Sequence, residues 1–529
     1  MKAATEQEIY DRRWWILSVL CLSLVMIIVG NTVLNVTLPT LIRELDASNT
    51  ELQWIVDIYG LVFAGLLLTA GALGDRFGRK GALTAGLVVF GLGSAMSAFA
   101  TEPVHLVVTR AIMGLGAAFV MPATLSILTT VFPPQERARA IAVWAGLAGA
   151  GAAIGPIAGG WLLRHFWWGS VFLVNIPVIV IALVAGHFLV PTSKDPRSLP
   201  LDPVGAALSI LGLGSLLYAI IEAPVHGWTA PVTLTAGTLA VLFLAAFGVW
   251  ELRARYPMLD LRLFRNPRLS AAAAAITLVF FAMFGTFFLF TQYLQLVMGY
   301  DALGAGLRTL PVALTLMVFA PLSARFVERF GARLVVATGL TIVAVGLLLL
   351  TRCGVDTGYG RLAVALIVLA IGMATSMAPS TASIMSAIPP GKAGVGSALN
   401  DTTRELGGAL GVAVLGSLVA SRYASGLAGA VQGLPAPAAA MARSSLGGAL
   451  QVAAKLGPIR GPALADAAKV AFVDGLGIAL FVGAGVALVA AALVGRFLPA
   501  GAPVHAHGKS DAVITPLPAE PPVTPAMEA

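Results

Sequence analysis

Fourteen long apolar runs, separated by short polar segments, constrain this chain more than any other feature of its sequence. Most runs are about 20 residues long, and a helix of that length crosses the ~30 Å hydrocarbon core of a bilayer. The composition agrees, because 58% of the residues are hydrophobic and only 11% are charged, against about 25% charged in soluble domains. The sequence therefore predicts an all-α integral membrane protein with fourteen transmembrane helices.

The distribution of basic residues predicts how these helices are oriented. An even number of spans puts both termini on one side, and most of the 33 Lys and Arg residues lie on that side. Because positively charged loops stay in the cytoplasm, we predict cytoplasmic termini and a multi-pass protein of the cytoplasmic (inner) membrane. The same bias explains the net charge of +8, so we expect no nucleic-acid partner.

The predicted spans fall into groups of six, two and six. In chain order we expect a cytoplasmic N-terminal segment (1–13), a first six-helix bundle (14–190), a linker with two inserted helices (191–250), an Arg-rich cytoplasmic loop (251–270), a second six-helix bundle (271–497) and a disordered cytoplasmic tail (498–529). The second bundle contains an extracytoplasmic loop at 421–470, for which a short interfacial helix and a cap are both open interpretations.

Two loops at the predicted cytoplasmic end have related sequences, 253 positions apart. Each lies between the second and third helix of its bundle, at 71–80 and 324–333. This offset indicates a duplicated six-helix unit with a degenerate second copy, and internal repeats of this kind are common in transporters. We interpret the first loop as a charged conformational latch with a weaker counterpart in the second copy, formed by Gly71, Asp75, Arg76, Gly78, Arg79, Lys80, Glu328 and Arg329.

Several motifs together resemble those of the major facilitator superfamily, and specifically its fourteen-helix branch of drug:proton antiporters. The loop at 71–80 matches the superfamily's loop signature at every fixed position, and the segment that begins at Arg110 is similar to an element whose arginine is associated with proton transfer. The segments 291–295 and 400–408 are similar to ones typical of the fourteen-helix branch. The resemblance implies transport by alternating access, with the loop stabilising the outward-facing state.

A glycine motif in the fifth span, formed by Gly151, Gly155, Pro156, Gly159 and Gly160, matches the antiporter signature of the same superfamily. Glycines four residues apart let two helices approach closely, and a proline removes a backbone hydrogen bond and bends its helix. A bent, closely packed helix can seal a leak. The resemblance implies exchange rather than symport, and ordinary packing of small residues is the alternative interpretation.

Ionisable residues inside spans are candidates for proton coupling, because each costs about 2.5–3.5 kcal/mol at the bilayer centre. The first candidate pair is Asp57 with Arg110, in the second and fourth spans. The second candidate is the cluster of Asp401, Arg404 and Glu405 in the thirteenth span, where the two acids share a helix face. For both, a static ion pair or a residue facing an aqueous vestibule is the alternative.

The substrate cavity is harder to predict. In the first span, Gly30 stands where the family usually has an aspartate, so another acid would have to replace that group. The ninth span contains a partial helical series of phenylalanines, which suits a greasy cavity wall and equally suits contact with lipid. The candidate cavity residues are Asn31, Asn35, Phe284, Phe288, Gln292 and Gln295.

These patterns together predict a proton-coupled secondary antiporter that exports amphipathic small molecules such as drugs, antibiotics or secondary metabolites. Export of a lipid or of one dedicated metabolite is the alternative within transport, and a channel or non-transporting scaffold is the alternative outside it. The Ser, His and Cys residues form no recognisable nucleophile arrangement, so we expect no enzyme activity. We also expect a monomer in the bilayer, with protons as the coupling ion and no metal or cofactor.

Overall fold

The computed structural model describes residues 6–194, 202–388 and 393–498. These residues form helices and no β-strand, which confirms the all-α prediction. Most of the predicted tail at 498–529 and part of the linker after residue 190 lie outside the described residues.

The helices follow the predicted order. The first bundle contains α1 (Glu6–Leu45), α2 (Asn49–Phe77), α3 (Arg79–Ala98), α4 (Pro103–Val131), α5 (Pro134–His165), α6 (Ser170–Leu173) and α7 (Asn175–Leu189). The inserted pair is α8 (Pro203–His226) and α9 (Pro231–Arg253). The second bundle contains α10 (Pro267–Gln292), α11 (Ala302–Leu307), α12 (Leu310–Phe330), α13 (Ala332–Leu350), α14 (Tyr359–Ala387), α15 (Ala393–Gly426), α16 (Ala436–Ser444), α17 (Leu446–Lys455) and α18 (Gly457–Phe497).

By length and composition, thirteen helical segments of the described residues are able to cross a membrane. The remaining predicted span corresponds to α5, a helix of 32 residues. Two irregular turns flank α10, a 3-10 turn at Leu261–Arg265 before it and a π-helical turn at Tyr293–Val297 after it. The helix starts have the expected chemistry: Ser48 and Glu51 form a capping box at α2.

Glycine contacts show that the two bundles are built alike. In the first bundle α3 and α4 approach so closely that a Cβ on Gly116 would lie 2.7 Å from the carbonyl oxygen of Gly86. In the second bundle α13 and α14 approach in the same way, because a Cβ on Gly372 would lie 2.7 Å from the carbonyl oxygen of Gly339. Any larger residue would separate these helix pairs, so the repeat is maintained by backbone proximity as well as by sequence.

Helices extend beyond two of the predicted boundaries. The first helix begins at Glu6, inside the predicted N-terminal segment, and α15 and α18 both extend into the predicted loop at 421–470. Helical hydrogen bonds are made within the segment itself, so a helix can continue past the apolar run that predicts it. The short helices α16 and α17 connect them, and Gln451 of α17 donates a 2.8 Å hydrogen bond to the carbonyl oxygen of Ile42, covering the end of α1.

Candidate functional site: a polar centre between the two bundles

Arg110 is the centre of the polar site. It is fully buried in α4, where its Nη2 donates a 2.8 Å hydrogen bond to Asn31 of α1. Its Nε donates at 3.2 Å to the carbonyl oxygen of Ile55, and its guanidinium lies 4.3 Å from the ring centroid of Tyr59. Gly114 permits this packing, because a Cβ there would lie 2.6 Å from the Tyr59 carbonyl oxygen. The Nη1 of Arg110 has no hydrogen-bond partner among the described residues.

Glu405 brings an acid of the second bundle to this centre. It lies on α15, and its carboxylate is 3.2 Å from the position that a Cβ on Gly60 would occupy. Among the described residues Glu405 forms no ion pair with Arg110, but Gly60 is next to Tyr59, whose ring packs against that arginine. A glycine in α2 therefore makes room for a carboxylate of the second bundle close to the buried arginine.

The other two members of the α15 cluster are also brought together. The guanidinium of Arg404 lies 3.7 Å from a carboxylate oxygen of Asp401 and 4.6 Å from the ring centroid of Phe280. Both charged side chains are partly exposed. The predicted proximity of Arg404 to the acids of this helix is thus present in the structure.

The predicted pair of Asp57 and Arg110 is not formed in this state. Asp57 is 2% exposed and makes no ion pair, and its Oδ2 has no hydrogen-bond partner. The reason is helical geometry: Asp57 and Tyr59 are two positions apart and point to different sides of α2, and the arginine packs on the side of Tyr59. The arginine instead has Asn31 as its side-chain hydrogen-bond partner.

Asp57 lies on the face of α2 that packs against the second bundle. One turn before it, Gln53 donates hydrogen bonds of 3.0 and 3.1 Å to the carbonyl oxygens of Val412 and Ala413 of α15. One turn after it, Gly60 faces α15 as well. Because residues three and four apart share a helix face, Asp57 is a buried carboxyl at the interface of the two bundles.

The bundles are closed together at the end where α1 meets α2. Gln295, in the π-helical turn, donates a 2.8 Å hydrogen bond to the carbonyl oxygen of Val36 in α1. Nearby, Nη1 of Arg164 lies 4.0 Å from Oδ2 of Asp301, and this ion pair is a second contact between the first and the second bundle. In the predicted orientation this end is the extracytoplasmic one.

The glycine motif of α5 contributes to the same closure. A Cβ on Gly155 or Gly159 would collide with Thr32 or Val33 of α1, while Gly151 faces Ile28. The other side of the motif meets the second bundle, where a Cβ on Gly160 would lie 2.6 Å from the Ala302 carbonyl oxygen. The predicted close approach of helices is confirmed.

The carbonyl group of Pro156 in the same motif lies against Gly306 of α11. The motif therefore joins α1, α5 and the second bundle.

The predicted latch connects the turn between α2 and α3 to the end of α4. Asp75 accepts hydrogen bonds from Nε of Arg79 at 2.7 Å and from the hydroxyl of Ser126 at 3.1 Å. Arg79 also donates to Thr130 of α4. Gly71, one turn before Asp75, packs on α4.

The latch also contacts the end of α7. Lys80 donates a 2.7 Å hydrogen bond to the carbonyl oxygen of His187. The backbone N–H of Arg79 donates a 3.0 Å hydrogen bond to the carbonyl oxygen of Ser193. Arg76 packs over the ring of Phe77, 5.5 Å from its centroid. Every hydrogen bond described for this loop is thus made within the first bundle and the segment that follows it.

The counterpart in the second copy is different. Glu328 and Arg329 form no ion pair or side-chain hydrogen bond among the described residues, and Arg329 only packs beside Phe330, 5.3 Å from its ring centroid. Both are exposed.

The candidate cavity residues differ in burial and in their contacts. Phe288 and Gln292 are fully buried, so neither faces an open space in this state, because the phenylalanine series wraps around α10 and these positions lie on its packed side. Gln295 serves in the closed end instead. Partly exposed positions remain at Asn31, Asn35 and Phe284.

Two important residues were not predicted. Gln53 and Tyr59 connect α2 to α15 and to Arg110, and their only sequence signal is a polar group inside an apolar span. Among the described residues, no group of three or more His, Cys, Asp or Glu side chains could hold a metal ion.

Comparisons with known proteins agree with this architecture. The sequence pattern of the Major Facilitator Superfamily matches residues 20–412. Similar proteins include the multidrug efflux pump LfrA of Mycolicibacterium smegmatis, 37% identical over 92% of this chain and 96% of the relative. The methyl viologen resistance protein SmvA of Salmonella typhimurium is 36% identical over 89% and 95%, and the tetracenomycin C resistance and export protein of Streptomyces glaucescens is 34% identical over 91% and 91%.

Solved structures show the same fold at low identity. A bacterial homolog of the human lysosomal transporter Spinster, in an inward-facing conformation, superposes with a TM-score of 0.63 and 17% identity, covering 91% of this chain and 97% of that one. A peptide transporter of the POT family superposes with a TM-score of 0.61 and 16% identity over 94% and 100%. The chain therefore belongs to the Major Facilitator Superfamily and is a multi-pass membrane transporter.

Proposed function

We propose that this transporter exports amphipathic small molecules, such as drugs or antibiotics, across the cytoplasmic membrane in exchange for protons. Relatives named for multidrug efflux, methyl viologen resistance and tetracenomycin C export align with nearly the whole chain, which supports export of this substrate class. The single observation that supports proton coupling is Asp57, a carboxyl group buried without a partner between two bundles that must separate during transport.

The proposed topology has fourteen spans with both termini in the cytoplasm, and the transporter acts as a monomer in the inner membrane. Thirteen segments and α5 supply the spans. The bias of Lys and Arg toward the loops on the side of the termini supports the orientation. In this orientation, the closed end faces outward and the latch lies in the cytoplasm.

Asp57 couples closure of the outer end to proton uptake. An ionised carboxylate without a partner is strongly disfavoured in a dry interface, whereas the neutral acid is tolerated there. When the outer end opens, Asp57 meets water and exchanges its proton with the outside. When α2 and α15 close over it, the group must carry a proton. Protonation therefore favours the state in which substrate can enter from the cytoplasm.

Glu405 and Arg110 form the second part of the coupling. Arg110 is held by Asn31 and Tyr59 and keeps one N–H group unpaired, so it attracts the ionised form of Glu405 across the interface. Protonation of Glu405 weakens this attraction and releases a cation bound at its carboxylate. A cationic substrate would compete with the arginine for the same carboxylate. The neighbouring pair of Asp401 and Arg404 adjusts the local charge.

The energy available limits the stoichiometry. One proton that moves down ~100 mV and one pH unit supplies roughly 3.7 kcal/mol. This energy would concentrate a neutral substrate several hundredfold, since each 1.4 kcal/mol is tenfold. Exchange of one proton for one monovalent cation is electroneutral and uses only the pH term, about tenfold. Two acids at the interface, Asp57 and Glu405, allow a second proton for cationic substrates.

The test is efflux from proteoliposomes with an imposed pH gradient, with methyl viologen as the cationic probe. We compare the wild type with Asp57→Asn and Glu405→Gln, and use Asp356→Asn, an exposed loop acid, as a matched control. We expect each interface variant to lose at least about tenfold of the gradient-driven rate, or ~1.4 kcal/mol, and the control to keep it.

Three results would each contradict a different part of the proposal. Efflux that persists after the proton gradient is collapsed would exclude antiport and would favour a channel. Gradient-driven efflux that is unchanged in both interface variants would retain antiport and exclude these two acids as its proton carriers. Transport of a lipid but not of methyl viologen would replace the proposed substrate class.

A further inference from the structure

A second pair of buried acids lies far from the polar centre, where the inserted helices meet the loop that leads to α10. Asp202 begins α8 and Glu251 lies in the last turn of α9, and they are 8% and 1% exposed. Asp202 accepts hydrogen bonds from Trp250 Nε1 at 2.8 Å and from the backbone N–H of Met258 at 3.2 Å. Neither acid contributes to the transport pathway described above.

One carboxylate oxygen of this pair has no donor. Glu251 Oε2 accepts a 2.9 Å hydrogen bond from the backbone N–H of Leu259, but its Oε1 is buried and without a partner. That oxygen faces the same small space as Asp202 Oδ2, since a Cβ on Gly205 would lie 2.6 Å from each of them. The absence of a side chain at Gly205 therefore leaves one carboxyl oxygen of each acid beside the same point.

The described part of the chain brings no pairing cation to these acids. Among the described residues, neither Asp202 nor Glu251 forms an ion pair with Lys, Arg or His. The charged group on the adjoining loop that acts on Glu251 is another acid, Asp260, which caps the 3-10 turn. The guanidinium of Arg262 donates to the carbonyl oxygen of Leu252 rather than to either acid. Two ionised carboxylates in this position would repel each other in a buried site.

We propose that Asp202 and Glu251 form a proton-binding site outside the transport pathway, in which one proton is shared between Glu251 Oε1 and Asp202 Oδ2. The proton supplies the donor that Glu251 Oε1 lacks and removes one of two adjacent negative charges. Both acids lie at the cytoplasmic end in the proposed topology, so the cytoplasm would supply the proton. The conclusion that the proton comes from the cytoplasm rests on the proposed topology. The existence of the site does not depend on transport.

The site would control how the α9–α10 loop is docked. The backbone N–H groups of Met258 and Leu259 are both bound by the acid pair. The sulfur of Met258 in turn accepts a 3.8 Å hydrogen bond from Thr69 of α2. Loss of the shared proton at alkaline pH would leave two repelling carboxylates beneath this loop, and the loop would separate from α2. The pair thereby links cytoplasmic pH to the attachment of the inserted helices.

The first test detects the proton directly. Infrared difference spectra of the purified full chain in lipid nanodiscs, recorded between about pH 5 and about pH 8, report protonated carboxylic acids through their C=O stretching band. We expect a band that is lost in both Glu251→Gln and Asp202→Asn and retained in Asp260→Asn. In Glu251→Gln the amide oxygen still accepts from Leu259 and the amide nitrogen supplies a donor to Asp202, so this variant keeps the geometry. Asp202→Asn also loses an acceptor for Met258 or Trp250, so Glu251→Gln is the variant that isolates the proton. A band that is unchanged in both would overturn the proposal.

The second test measures docking of the loop. Met258→Cys is labelled with a membrane-impermeant maleimide, against a low background because Cys21 and Cys353 are both buried. We expect the labelling rate, divided by that of a free thiol at the same pH, to increase several-fold at alkaline pH and to stay low at every pH when Glu251→Gln is added. Labelling that is independent of pH in the parent would also overturn the proposal. Neither test requires efflux, so its failure is distinguishable from failure of the proposed transport function.

Discussion

The turn between α2 and α3 and the turn between α12 and α13 share a glycine of positive φ but differ in side-chain chemistry. Between α2 and α3, Gly78 has φ +130° and its N–H bonds to the carbonyl oxygen of Gly74 at 2.9 Å. Between α12 and α13, 253 positions later, Gly331 has φ +81° and bonds to Val327 at 2.8 Å. Both glycines have a positive φ that other residues adopt only with strain. The turn was therefore preserved in both copies.

The side chains explain why only the first turn is anchored. Asp75, in the last turn of α2, pairs with Arg79, the first residue of α3, across the turn at Gly78. In the second copy the acid is present as Glu328, but the position equivalent to Arg79 is Ala332. The second turn therefore lacks the cation that would hold its acid. The comparison teaches that the glycine determines the shape of the turn, and the arginine determines whether the turn is fixed to its bundle.

The largest expected effect tests the shared backbone. We expect Gly78→Val and Gly331→Val each to destabilise the protein by about 1–3 kcal/mol, because both force a branched residue into a positive φ. Thermal unfolding in detergent measures the change. Gly81→Ala, a helical glycine with open space around it, is the control and should not destabilise. A loss in only one of the two valine variants would show that the turns are not equivalent.

The next effect separates the two acids. We expect Asp75→Asn to slow efflux about tenfold, or ~1.4 kcal/mol, because it weakens the hydrogen-bonded network to Arg79 and Ser126. Glu328→Gln is the matched control and should change the rate less than about twofold, since this acid has no described partner. Rate and substrate affinity are measured in the same proteoliposome assay. A large loss of affinity with a normal rate in Asp75→Asn would contradict the role of a latch.

A smaller effect tests the anchor on α4. Ser126→Ala removes the hydroxyl that donates to Asp75 at 3.1 Å, and we expect a destabilisation of about 1 kcal/mol. Thr129→Ala is the control, because the Thr129 hydroxyl bonds only to a carbonyl oxygen of its own helix. Thermal unfolding of both variants measures the difference. Equal effects of the two substitutions would show that the bond to Asp75 contributes nothing specific.

The smallest effect rebuilds the missing anchor. Ala332→Arg would place a cation four positions after Glu328, and we expect a gain of about 0.3–0.5 kcal/mol from the exposed pair. The gain should disappear when Glu328→Gln is added, which makes the double variant the control. Unfolding midpoints at low and high salt measure it, because salt screens an exposed pair. A gain that persists in the double variant would indicate better helix propensity or packing instead of charge.

The sequence predicted the parts of the structure that depend on local physics. Apolar runs predicted the helices, because only a helix satisfies its own backbone in lipid. The motif glycines at 155 and 159 predicted close helix packing, since a residue without a side chain lets two helix backbones approach each other. The loop motif predicted a charged latch that includes Asp75 and Arg79, and the structure pairs these two near neighbours in the chain.

The residues of the polar centre were only partly predictable. Their polarity inside apolar spans identified Asp57, Arg110 and Glu405 as candidates. Their partners could not be predicted, because each depends on which faces of distant helices meet. Thus Arg110 binds Asn31, 79 residues away, and Asp57 faces α15 without a partner. The acid pair of Asp202 and Glu251 had no sequence signal, since both lie at span ends where charge is ordinary.

The sequence alone determined the helical membrane fold, the two related bundles and the chemistry of the first cytoplasmic turn. These features arise from interactions within one segment or between close neighbours, and they are therefore encoded locally. The tertiary structure alone decided that the bundles meet at the end where α1 joins α2, that Gln53 and Gln295 hold this contact, and that Glu405 lies beside Gly60 of α2. These contacts join residues hundreds of positions apart, and they exist only in the conformation that brings the two bundles together.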